Sequence, residues 1–211
     1  MASILGVSQD SPTRPQRANW LRAGIWSLGF VALLWVLEAT DYVSGHQLDT
    51  LGIQPRTDAG LLGIVFAPVL HFGWAHLYGN TVPALILGFL VLVSGVGRGI
   101  VATLIIWVVG GVGVWLMSPP GSITAGTSML IFGWLVYLIM RGLFSHRVSQ
   151  IVIGVLIFLA YGSLLLGVLP GQTGVSWQGH LFGAIGGALA AWLLNDPPKK
   201  QAQDKAQKKA A

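Results

Sequence analysis

Cysteine is absent from the 211 residues. Disulfides, thiolate metal sites and thiol redox chemistry are therefore excluded, and the redox compartment carries no mark. Charge is also scarce. Lys and Arg number 12, Asp and Glu 7, together 9% of the chain, against about 25% in an ordinary soluble domain. What fills the space is apolar: 54% of residues are hydrophobic and the mean hydropathy is +0.70. A soluble domain of this size cannot hide so much apolar surface. A disordered chain, a disulfide scaffold and a typical cytosolic enzyme are excluded. The net charge of +5 then reads as an orientation signal for loops, not as a field for nucleic acid.

Six apolar stretches have the length or character of membrane spans: 21–39, 75–95, 99–117, 127–141, 149–169 and 177–195. A span takes about 20 residues. The fourth is short, because its helix must fit between Gly126 and Arg141. Leu61 to Leu70 is apolar but brief and carries Pro68, so it lies in the interface or on the protein. The expected fold is an all-α, polytopic six-helix bundle over 20–195. A polar cytoplasmic segment, 1–19, with no signal-peptide pattern precedes it, and a basic, disordered tail, 196–211, follows. No internal repeat is evident. Eleven of the 12 cations fall on one side of this arrangement and only Arg56 on the other. The positive-inside rule puts both termini in the cytoplasm.

Polar side chains inside such a bundle are costly and mark function. They are few: His71, His76 and Asn80 around the second span, Ser128 opening the fourth, His180 opening the sixth, and Glu38 closing the first. Counted from each cytoplasmic end, Ser128, His180 and Asn80 reach depths of roughly 20–22 Å at 1.5 Å per residue. His76 lies one turn from Asn80 on the same face. The short fourth helix requires 118–127 to dip inward and line a water-filled depression open to the outer side, with Ser128 at its floor.

Gly126-Thr127-Ser128 has the form of a nucleophile turn, with free helix N–H groups to hold an oxyanion; Ser128 could equally be a helix N-cap. His180 shares a helix face with Gly183 and Gly187, a small-x-x-x-small pair that admits a close neighbour. It suits a general base, or a buried imidazole bonded to a carbonyl. His76 and Asn80 suit oxyanion donors, or helix-to-helix hydrogen bonds. On one continuous helix, His71 and His76 would point about 140° apart, which disfavours a shared metal. There is no H-E-x-x-H and no Asp within a span, so zinc and two-aspartate proteolysis lack their residues. No cofactor or metal is expected.

These residues resemble the rhomboid family of intramembrane serine proteases. Three motifs carry the resemblance: His71, His76 and Asn80 within "HFGWAHLYGN", then Gly126-Thr127-Ser128, then His180, Gly183 and Gly187 within "GHLFGAIGG". The resemblance implies Ser128 as nucleophile and His180 as base, a dyad without a third acidic member. It implies His76, Asn80 and the Ser128 N–H as oxyanion donors. Phe132 matches an aromatic that supports the base's ring, or is simply core. Two departures stand out. Met129 follows the serine where the family often has Gly, which puts the adjoining pocket in question. A Trp-Arg pair of the first outer loop is not recognisable, unless Arg56 serves in its place. The form is the minimal one common in bacteria.

The expected function is hydrolysis of a peptide bond in or near a substrate's transmembrane helix, in the plasma (inner) membrane. The partners are the lipid bilayer and membrane-protein substrates; a homo-oligomer is open and nucleic acid is not expected. The alternatives are a catalytically inactive rhomboid-like binder or quality-control factor, and a small transporter with a His proton relay.

Overall fold

The computed structural model describes residues 14–145 and 147–195. The tail 196–211 lies outside the described residues, as does most of the polar segment 1–19. Seven α-helices are described: α1 (Arg14–Val43), α2 (Asp58–Phe66), α3 (Trp74–Val93), α4 (Val96–Met117), α5 (Ser128–Ser145), α6 (Val148–Tyr161) and α7 (Trp177–Leu193). Short 3-10 stretches occupy Leu48–Leu51, Ala67–Val69 and Gly162–Val168. Five stretches are long and apolar enough to cross a membrane: α1 from Asn19, α3, α4, α5, and α6 with its 3-10 continuation to Val168. At 17 residues, α7 is shorter than these and runs roughly 26 Å. As expected for 61–70, α2 and the Ala67–Val69 turn form no span. They pack on α4, where Trp107 Nε1 donates to Ile64 O at 2.6 Å.

Apolar side chains face outward in quantity. Trp20, Leu21, Ile25 and Trp26 on α1 and Val155, Leu156 and Leu159 on α6 are all exposed. That is the surface a hydrocarbon solvent requires. Inside, glycine sets the spacing. α7 lies between α4 and α5. A Cβ on Gly183 would sit 2.2 Å from Met129 O, one on Gly187 2.1 Å from Gly133 O, and one on Gly186 2.9 Å from Ile106 Cα. Backbone therefore meets backbone on two faces of one helix, and dispersion contacts replace the hydrophobic effect that lipid does not supply.

The fourth span differs from its expected bounds. It begins at Ser128 but runs on to Ser145, 18 residues or roughly 27 Å. Arg141 does not end it. Its side chain is buried inside the bundle, where it donates to Ser94 Oγ at the C-cap of α3. Bonded there, Arg141 lies level with the end of α3, and α5 runs one turn beyond it.

The inward dip of 118–127 does not follow from a short helix. It follows from backbone pairing. Thr124 exchanges two bonds with Ile53, at 2.8 and 3.0 Å. The Gly126 N–H donates to Ala67 O at 2.8 Å, and Thr127 Oγ1 to Pro68 O at 2.6 Å. The non-helical backbone is thus satisfied by the stretches before and after α2.

Candidate active site

α5 starts where the chain turns sharply. Gly126 has φ +131, a region that side chains rarely adopt. A Cβ there would also strike the His76 ring, 2.6 Å from Cε1, so glycine is required twice over. Thr127 is the N-cap residue. Its carbonyl accepts from Leu130 N–H at 2.8 Å and Ile131 N–H at 3.0 Å. Ser128 is therefore the first helical residue and not the cap. Its own N–H belongs to the first turn, whose donors have no intrahelical partner.

α7 is opened by Ser176, whose Oγ accepts the Gly179 N–H at 3.2 Å. One residue further on, His180 projects into the bundle, 8% exposed. Two contacts fix its ring. It stacks on Phe132 with centroids 3.9 Å apart and planes 9° from parallel. Its Nδ1 lies 3.0 Å from Gly167 O. A carbonyl only accepts, so Nδ1 carries the proton, and in the neutral ring Nε2 is left as an acceptor. The imidazole bonded to a carbonyl and the imidazole able to take a proton are one arrangement, since each uses a different nitrogen. Gly167 admits no side chain. A Cβ would lie 2.9 Å from Phe132 Cζ and 3.0 Å from His180 Nδ1.

His76, Asn80, Ser128, Phe132, Gly167 and His180 line one cavity of about 950 Å³. The loop 118–125 and the stretch before α7 also line it. Asn80 is 8% exposed, and its Nδ2 has no hydrogen-bond partner. A donor left free at a cavity wall is unusual, because buried amides are normally paired. Pro83, inside α3, also lines the cavity and lacks the N–H that a helix would aim at the Gly79 carbonyl.

His71 is not among the lining residues. It precedes α3, separated from it by Gly73 at φ +89. The 140° separation expected for one continuous helix does not hold: the His71 and His76 rings meet edge to face at 5.1 Å. His71 Nε2 accepts the Thr127 N–H at 3.5 Å, at the turn that leads into Ser128. Gly183 and Gly187 also lie off the cavity and hold α7 against α5.

Met129 does not crowd the cavity. Its side chain fills the notch of Gly110 on α4, where a Cβ would lie 2.4 Å from Sδ, and it is absent from the lining. Arg56 binds the end of α4, donating to Leu116 O at 2.7 Å and Ser118 O at 2.9 Å. The sequence names Asn80 but does not mark Gly167 or the Ala67–Pro68 carbonyls as supports of the site. Nothing local in "SLLLGVLP" distinguishes Gly167 from the many other glycines. Pro68 within an apolar stretch was the available hint for the turn.

A rhomboid domain model matches residues 58–197, from the start of α2 onward. The chain is 48% identical over 193 residues to the uncharacterized protein Rv1337 of Mycobacterium tuberculosis, covering 88% of this chain and 80% of that one. The same figures hold for the uncharacterized protein Mb1372 of Mycobacterium bovis. With the uncharacterized protein ML1171 of Mycobacterium leprae the identity is 45% over 204 residues, covering 93% and 80%. The chain is an integral, multi-pass membrane protein of the rhomboid family.

Proposed function

We propose that the protein is an intramembrane serine endopeptidase acting through Ser128 and His180. The observation that carries this reading is the imidazole of His180. It is stacked, pinned through Nδ1 with Nε2 left as acceptor, and it shares a cavity with a serine at a helix N-terminus. Nε2 takes the Oγ proton as Ser128 attacks the scissile carbonyl. The Ser128 N–H, His76 and Asn80 Nδ2 meet the oxyanion, and each such donor contributes about 3 kcal/mol in other acyl transfers. The imidazolium gives its proton to the leaving amine. Water entering the cavity then resolves the acyl-enzyme, and Nε2 again takes a proton.

The substrate is a membrane protein whose helix unwinds near one membrane face, since attack requires extended backbone. The positive-inside rule puts the cavity mouth on the outer face of the inner membrane and both termini in the cytoplasm. The test is cleavage of a transmembrane substrate by purified protein. Wild type is expected to cut, and Ser128→Ala and His180→Ala are each expected to be inactive while folded. Undiminished cleavage by either variant overturns the dyad. A binder without activity remains the reading if folded wild type cuts no membrane substrate.

A further inference from the structure

A second polar constellation lies at the end of α1, and none of its residues lines the Ser128 cavity. Asp41, in the last turn of α1, is 2% exposed. Gly45 at φ +77 and His46 at φ +63 then reverse the chain. That reversal returns the His46 ring to the helix end, with Nδ1 3.1 Å from Asp41 Oδ2 and 3.8 Å from Asp49 Oδ2. Asp41 Oδ1 accepts the Leu48 N–H at 2.6 Å, which fixes the 3-10 turn that carries Asp49. One ligand atom from each of Asp41, His46 and Asp49 lies within 4.8 Å of the others. Two ligands each ~2.1 Å from a tetrahedral metal are ~3.4 Å apart. The 3.1 and 3.8 Å separations straddle that value.

Glu38 supplies an independent sign. It lies one turn before Asp41, on the same face of α1, and is 2% exposed with neither carboxylate oxygen partnered. It interacts electrostatically with Asp41, Asp49 and His46 together. Asp49 Oδ1 is likewise buried and without a partner. Three carboxylates gather about one imidazole, which can offset at most one of their charges, and Arg56 spends its guanidinium on the Leu116 and Ser118 carbonyls. Unpaired buried carboxylates are costly, and a cation removes the cost.

We infer that Asp41, His46 and Asp49, backed by Glu38, form a divalent metal site that ties the end of α1 to the first loop. One imidazole among carboxylates, with no thiolate, selects a first-row cation such as Zn2+ or Mn2+ over Mg2+ or Ca2+. The site does not depend on the proposed proteolysis.

The test uses tag-free, full-length protein in detergent, stripped with EDTA and titrated with Co2+ by visible absorption. One equivalent is expected to bind with d–d bands that Zn2+ abolishes. His46→Ala and Asp49→Asn, both at partly exposed positions, are each expected to weaken binding at least about tenfold. Gel filtration checks that each variant is folded, and if one is not, the other decides. Absence of one-to-one binding by wild type, or unchanged affinity in a folded variant, overturns the site.

Discussion

At the scale of single residues, the proposed reaction divides the side chains of the site into those that would meet the substrate and those that hold them. Asn80 and His76 belong to the first group. Asn80→Ala and His76→Ala are each expected to lower kcat by about 10² to 10³, with KM much less changed, in the substrate-cleavage assay. Phe132 belongs to the second. Removing its ring leaves the stacked face of His180 without support, so Phe132→Ala is expected to cut activity, and Phe132→Tyr or Phe132→Trp to restore most of it. Met129 belongs to neither, because it fills the Gly110 notch. Met129→Ala is expected to cost about 2–5 kcal/mol of stability through the void it leaves, read as a lower Tm in detergent. Turnover per folded molecule should stay near wild type. From sequence, Met129 stood beside the nucleophile and so beside the pocket. Adjacency along a helix turns the next side chain by about 100°, which is why the pocket escapes it.

At the scale of elements, hydropathy made the helices legible and left their junctions obscure. All six apolar stretches are helical, and the segment 61–70 is correctly no span. The end of α5 was not legible, since an arginine reads as a boundary until its partner, Ser94 on another helix, is seen. The relation of His71 to His76 was hidden for a similar reason: Gly73 breaks the helical period between them. The candidate site was legible as a set of residue types because polar groups are so few in the spans. Its supports were not, because Gly167 and the Ala67–Pro68 carbonyls act through backbone atoms that a sequence does not display. The α5–α7 contact is the element on which the rest depends. Gly187→Val would force a side chain against Gly133 O, where even a Cβ has only 2.1 Å. The variant is expected to unfold at markedly lower temperature and to lose activity, whereas Gly24→Ala, with nothing within 4 Å, should change neither.

At the scale of the whole molecule, the scarcity of charge and the absence of cysteine become experimental assets. Single cysteines can be introduced without a background to remove. Gln47→Cys, in the loop after α1, is expected to react with a membrane-impermeant maleimide in intact cells. Asn195→Cys, after α7, should react only after permeabilisation. The reverse pattern would invert the orientation and put the cavity mouth in the cytoplasm.

The central claim is that Ser128 is a nucleophile activated by His180, and its most direct measurement is covalent. Purified, folded wild type is treated with a fluorophosphonate, and the labelled peptide is mapped. Label is expected on Ser128, lost in Ser128→Ala and nearly lost in His180→Ala. Absence of label on folded wild type, or label that persists in Ser128→Ala, would contradict it.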